Sequence, residues 1–193
     1  NWHVRGFFNK EDLNCRFAIV NRGISIYESL SNENSTAKET LEDISNFVNK
    51  QKTVSEKIKG VWAHENSEPL WNVMALQEGI SSKRESVGGD TTRGRGLMDV
   101  IQFIDDIRDK KEDTFLTIIS GHSAILIDFK YKIIKKYIEK TKGYVRMMVF
   151  NENGEISETQ DISKVMYLKD KFAGTIITGS FKVSSSVLES SDA

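Results

Sequence analysis

The sequence predicts an α/β fold, a two-layer α/β sandwich whose mixed, mostly antiparallel sheet carries helices on one face. Three observations support this. Strand-like runs lie near both ends and in the middle of the chain, amphipathic helical stretches are interspersed among them, and short polar segments join neighbouring strands as hairpins. Hairpin connections argue against a purely parallel sheet, in which every strand return needs a crossover helix.

In chain order, Trp2 to Phe8 and Asn14 to Val20 read as two strands. The second sets Cys15, Phe17 and Ile19 against Arg16, Ala18 and Val20, and polar Asn9-Lys10-Glu11-Asp12 makes the turn. Thr36 with Glu39 three residues on has the spacing of a capping box, and Ala37, Leu41, Ile44, Phe47 and Val48 recur at helical spacing to about Lys50. A second helix is predicted from Ser67 to Gln77, with Pro69 in its first turn, Leu70, Val73 and Met74 on one face, and Gly79 as its stop. Loop text from Ser81 through Gly88-Gly89 to Gly96 opens a third helix marked by Leu97, Val100, Ile101, Ile104 and Ile107. Thr114 to Ser120 and Ala124 to Phe129 are β-rich runs around a turn at Ser120-Gly121-His122-Ser123. Tyr144 to Phe150 is a strand before the Asn153-Gly154 turn, and Thr175 to Val183 is the last strand. One domain is predicted over residues 1–183, with a disordered serine-rich tail over 184–193. The chain opens on Asn1 and strand text, so an N-terminal portion is expected to precede it.

Composition narrows the function classes. The chain has 193 residues, 38% of them hydrophobic and 28% charged, which is ordinary for a globular domain that buries a core. Lys and Arg total 27 against 28 for Asp and Glu, so no global field draws the chain to nucleic acid or an anionic membrane, and any anion site must be local. No apolar run is long enough to span a bilayer, and one cysteine, Cys15, forms no internal disulfide, so a cytoplasmic location is expected. Cys15 reads as a small apolar residue in a strand, and Trp62 and Trp71 read as core. His3, His64 and His122 have no metal-ligand spacing, so no protein metal site is expected.

Chemistry concentrates in three short segments. Thr92-Arg93-Gly94-Arg95-Gly96-Leu97 opens a helix, where free first-turn N–H groups and the helix dipole favour an anion, glycines admit phosphate to the backbone, and two arginines add charge. The same text also fits a flexible surface loop capped by glycine. It is neither a Walker loop nor a dinucleotide fingerprint, because no G-x-x-x-x-G-K-[ST] occurs and Asp99 stands where the third glycine belongs. Val20-Asn21-Arg22-Gly23-Ile24-Ser25 ends a strand in a polar turn, and Gly174-Thr175 opens the final strand, a pair that admits close ligand approach and offers one hydroxyl. The lysines at 130, 132, 135, 136, 140 and 142 interleave with Tyr131, Ile133, Ile134, Tyr137 and Ile138, as on the solvated face of an amphipathic element.

In order and spacing these segments resemble the nucleotide-binding domain of the GHKL ATPase superfamily, which includes sensor histidine kinases, anti-sigma-factor kinases, Hsp90 chaperones, DNA gyrase B subunits and MutL. Val20 to Leu30 resembles the D-x-G-x-G box, with Asn21 in place of the aspartate and Ser25 in place of the second glycine. Ala75 to Lys83 resembles the helix end before the ATP lid, Thr92 to Leu97 the second glycine box, Thr117 to Gly121 the following strand, and Gly174-Thr175 the last box.

The resemblance implies the Bergerat fold, the histidine-kinase-ATPase-like sandwich, binding ATP or ADP with Mg2+ under a closing lid. It implies that Asn21 faces adenine, that Gly23 and Ser25 shape the base pocket, and that Thr175 supports the Asn21 contact. Thr92, Arg93, Gly94, Arg95, Gly96 and Leu97 would surround the phosphates. An amide oxygen can accept the adenine amino hydrogen bond, without the charge that strengthens it. The family's general-base glutamate and magnesium-binding asparagine lie on a helix before the opening strands, so no catalytic residue is assigned. The expected partners are a nucleotide and either the N-terminal portion of the same protein or a partner protein, with no membrane and no nucleic acid. If the preceding helix carries its glutamate and asparagine, the whole protein hydrolyses ATP or transfers its phosphoryl group; the alternative is a catalytically inactive GHKL-like interaction or nucleotide-sensing module. Residues 130–173 exceed what the resemblance needs between the last two strands and read as an insertion or a partner surface.

Overall fold

A computed structural model describes residues 2–57, 67–80, 94–138 and 143–189 of the chain. The elements follow as β1 (Trp2–Asn9), β2 (Asn14–Arg22), α1 (Ile26–Leu30), α2 (Lys38–Lys57), α3 (Glu68–Leu76), α4 (Gly96–Ile107), β3 (Phe115–Ile127), β4 (Ile134–Ile138), β5 (Gly143–Met147), β6 (Val165–Lys182) and α5 (Ser185–Glu189). The fold is mixed α/β. Four strands form an antiparallel sheet in the order β1-β2-β6-β3, and β4 and β5 form a separate two-stranded hairpin.

Register decides which residues meet the helices. Cys15 lies opposite Phe181, Phe17 opposite Gly179 and Ile19 opposite Ile177, and the last two also face Leu116 and Ile118 of β3. Cross-strand partners share a face, and on this face Leu116, Ile118 and Phe181 are buried in one core with Leu70 and Val73 of α3 and Met98, Ile101 and Ile104 of α4. The opposite face, with Ala18, Val20, Thr117 and Thr178, is half-buried. The helix periods explain the packing: α4 buries Met98, Ile101 and Ile104 at three-residue intervals, and α3 buries Leu70, Val73 and Met74. Trp71 packs against the core and meets Tyr27 edge-on, with centroids 5.4 Å apart; Trp62 lies outside the described residues. Cys15 also packs against the core, and burial raises the pKa of its free thiol.

The structure corrects several expectations. The segment Ser120 to Ser123 is not a turn between two strands. β3 runs through it as a bulge, with register shifts on both sides of Gly121, whose φ of +61° suits glycine. The backbone N–H of His122 in that bulge donates to Glu68 Oε2 at 2.7 Å, which lets a charged residue of α3 satisfy a strand irregularity. β6 begins at Val165, ten residues before the predicted strand, because its first half extends a ribbon with β3 that leaves Lys169, Asp170 and Lys171 exposed. Part of the predicted tail, Ser185 to Glu189, is the helix α5. The Thr36 hydroxyl donates to the Ser29 carbonyl, and a capping box that the sequence analysis did not mark joins Ser25 and Glu28. Among the described residues, no helix is long and apolar enough to cross a membrane.

Candidate functional site

β2 and β6 bring the first and last segments together, in a row that crosses all four strands of the sheet. Asn21, next to the last residue of β2, sits opposite both Trp2 of β1 and Thr175 of β6, and Thr175 sits opposite Ser120 of β3. The four residues form one rung on the helix-bearing face. Gly174 makes this approach possible: its φ is +129°, and a Cβ there would collide with the Asn21 carbonyl.

The rung is held by a fully used hydroxyl. Ser120 Oγ lies 2.9 Å from the Gly174 carbonyl and 2.9 Å from Thr175 Oγ1, and it accepts the Ile26 N–H at 2.8 Å. A serine has one proton and two lone pairs, so Ser120 donates to Gly174 and accepts from Ile26 and from Thr175. The Thr175 proton is thereby committed, and Thr175 Oγ1 is left as an acceptor toward its neighbours. Thr175 is buried, and Asn21 is half-buried with no hydrogen bond from its side chain among the described residues. Trp2 stands 61% exposed at the open end of the rung.

Helix α3 supports this rung from above. Asn72, one turn after Glu68, donates from Nδ2 to the Ser120 carbonyl at 3.1 Å, while its Oδ1 is buried without a partner among the described residues. Glu68 and Asn72 carried no expectation from the sequence, and Ser120 was expected only in a turn and a strand end. The available signal was two polar residues at an i, i+4 spacing on an apolar helix, together with a serine-glycine pair inside a β-branched run.

Ser25 has a local structural role. It caps α1, accepting the Glu28 N–H at 3.1 Å while Glu28 Oε2 accepts the Ser25 N–H at 2.7 Å, and Glu28 Oε1 pairs with Lys171 Nζ at 2.5 Å. The Lys171 ammonium, then the Ser25 N–H, hold the Glu28 carboxyl below the usual range. Gly23 donates its N–H to the Ala173 carbonyl at 3.3 Å, tying the turn after β2 to β6.

The second glycine segment stands at the start of α4. Thr92 and Arg93, with the rest of residues 81–93, lie outside the described residues. Gly94 has φ +78°, and a Cβ there would approach the Ile80 carbonyl oxygen to 2.7 Å; the Gly79 N–H donates to the Gly94 carbonyl at 3.1 Å. Arg95 is the N-cap residue of α4 and makes no side-chain cap, while Gly96 begins the helix with open space around its Cβ position. Leu97 packs partly buried against the core rather than on the loop.

Glu78 links this loop to the hairpin. Its Oε1 lies 2.8 Å from Arg95 Nε, and its Oε2 accepts from Arg146 Nε at 3.0 Å and from the Arg146 backbone N–H at 2.8 Å. Arg146 Nη2 also reaches Asp99 Oδ1 at 2.5 Å. Burial raises the Glu78 pKa, but the Arg146 guanidinium and N–H and the Arg95 charge outweigh it, so the carboxyl is held below the usual range. Next to it, Gln77 donates to the Met148 carbonyl at 2.8 Å and accepts the Met148 N–H at 3.0 Å, completing the backbone bonds of that segment. The segment 130–173, expected as an insertion or a partner surface, contains a hairpin bolted to the exit of α3. Asn72 at the rung and Glu78 at the loop are six residues apart, on the order of 10 Å along α3 and its exit. Comparison of the chain with protein-family models, with curated proteins and with solved structures returned no match.

Proposed function

We propose that the chain is an adenine-nucleotide-binding domain, a two-layer Bergerat-type sandwich that takes ATP or ADP between the Asn21 rung and the loop at Gly94 to Gly96. The observation that carries the reading is the register. Asn21 and Thr175, from the two most distant of the segments that resemble GHKL boxes, are cross-strand neighbours on the helix-bearing face. The Asn21 amide has no hydrogen bond among the described residues, and it offers one acceptor and two donors, the complement of the adenine amino group and ring nitrogen. Thr175 Oγ1, its proton spent on Ser120, offers only an acceptor on the strand position opposite Asn21. Arg95 and the first N–H groups of α4 face the phosphates.

Magnesium does not find a protein ligand set among the described residues. Glu78 and Asp99, the carboxylates beside the loop, are paired with arginine, and no group of three metal-ligating side chains forms.

One observation favours the alternative of a nucleotide-free interaction module. Gly94, Ser25 and Gly174 each have a local structural reason, respectively a tight approach to Ile80, a helix cap and a close strand pair. Calorimetric titration of the 193-residue protein with ADP and a non-hydrolysable ATP analogue separates the readings. The nucleotide reading expects saturable binding, tightened by Asn21→Asp, which restores a charged acceptor, and weakened by Gly96→Val, which the open space at Gly96 lets the fold accommodate. Absence of binding by the wild-type protein supports the interaction module.

A further inference from the structure

The β4–β5 hairpin turns one face toward the loop before α4. Lys135 lies opposite Arg146 and Tyr137 opposite Tyr144, so these four side chains share a face. Arg95, Glu78 and the hairpin residues Lys135, Tyr144, Val145 and Arg146 together line one shallow, solvent-open depression of about 420 Å³. That size suits a small anionic group.

Charge accounting shows what the cavity accepts. Arg95, Lys135 and Arg146 bring three cations to its walls and Glu78 one anion. Glu78 is committed to both arginines, and Asp99 outside the wall also pairs with Arg146. Lys135 is exposed and forms no ion pair among the described residues. Tyr144 is 69% exposed, its ring braced edge-on by Tyr137 at 5.3 Å, with its hydroxyl available to donate. The hairpin is held in place by Gln77 and Glu78 rather than by the central sheet: the Glu78 N–H donates to the Arg146 carbonyl at 3.1 Å. A wall carrying an ammonium that has no ion pair among the described residues, and a tyrosine hydroxyl, on one depression with an arginine, has the donor chemistry to meet a polyphosphate group.

We propose that the β4–β5 hairpin is the second wall of a polyphosphate cleft, with Lys135 and Tyr144 engaging the terminal phosphates of a ligand whose other side meets Arg95. The inference rests on the nucleotide reading for the identity of that ligand, but it concerns residues of the hairpin, which that reading does not use. The basic stretch of the sequence is thereby divided: Lys135 serves the cleft, while Lys136 pairs with Glu155 on the other hairpin face at 2.9 Å.

Calorimetric titration with sodium tripolyphosphate, ADP and a non-hydrolysable ATP analogue tests it, on wild-type protein and on Lys135→Ala, Lys135→Arg and the control Lys132→Ala. All three substitutions are at exposed positions. Loss of a charge-assisted contact is expected to weaken tripolyphosphate and the ATP analogue about tenfold in Lys135→Ala and ADP much less. Lys135→Arg should retain most of the affinity and Lys132→Ala should match wild type. Tripolyphosphate binding that depends on Lys135, with no gain from the adenosine moiety, keeps the cleft and overturns the adenine reading. ATP-analogue binding within about twofold of wild type in Lys135→Ala overturns the cleft and leaves the adenine reading standing. Absence of binding by all three probes overturns both.

Discussion

Ser120 and Ser123 offer a controlled comparison of one substitution in two settings. Both lie in β3 and both are 0% exposed. Ser120 Oγ donates to the Gly174 carbonyl and accepts from Ile26 N–H and Thr175 Oγ1, whereas Ser123 Oγ is buried without a partner among the described residues. Ser120→Ala removes three contacts at once. A buried hydrogen bond contributes about 1 kcal/mol net, and the half-buried Ile26 N–H can recover a bond from water, so the expected cost is about 2 kcal/mol. Ser123→Ala removes an unpaired buried hydroxyl and should cost nothing or stabilise slightly. In a chain of this size the gap corresponds to a Tm lower by about 4–8 °C for Ser120→Ala. Urea denaturation followed by circular dichroism measures both variants, and equal m values are required for the comparison. If the two variants fall within about 0.5 kcal/mol of each other, the hydrogen-bond knot at Ser120 does not hold the rung together and the reasoning fails.

Further perturbations test other parts of the molecule. Gly174→Ala places a Cβ against the Asn21 carbonyl at a φ of +129°, and should cost about 3 kcal/mol or more by separating β2 from β6; a urea midpoint unchanged from wild type would show that the strands do not approach as described. Leu70→Ala empties a fully buried position of α3 and should cost about 3 kcal/mol, measured in the same way. The Glu78 carboxyl has a depressed native pKa, so its contribution is present above the unfolded value of about 4.3 and is lost as pH falls through the native value. Glu78→Gln should therefore lower stability by about 1–2 kcal/mol at pH 7 and flatten the acid limb below about pH 4.3; an unaltered acid limb would remove Glu78 from the account.

The parts of the fold that announced themselves are those whose burial follows a simple period. The β1–β2 hairpin, α3 and α4 show alternating or three- to four-residue apolar spacing, and each appears close to the predicted boundaries. Ser120 to Ser123 misled because Gly and Ser in succession have the chemistry of a turn, while the carboxylate of Glu68, 54 positions away, supplies the bond that keeps the strand continuous. The first half of β6 was hidden because Lys169-Asp170-Lys171 carries no apolar alternation; its strand character comes from pairing with β3. The basic stretch that includes β4 was read as a solvated element, and solvent does meet Lys132 and Lys135, but no local pattern tells that Lys135 and Arg95 line one depression. At the candidate site, the sequence made Asn21, Thr175 and the Gly94 loop legible as short motifs. Ser120, Asn72 and Glu78, which fix their geometry, were illegible because their roles exist only across tertiary contacts. The serine–glutamate spacing from Ser25 to Glu28 already carried the capping role that the structure shows for Ser25.

The most direct test of the central claim is an amide nitrogen–proton spectrum of the isotope-labelled protein titrated with ADP. The account predicts saturable shifts at the Asn21 side-chain amide, at Gly174 and Thr175, and at Gly94 to Gly96, all with one dissociation constant. Shifts confined to the loop and hairpin with Asn21 and Thr175 unmoved, or no shifts at all, would contradict adenine recognition at the rung.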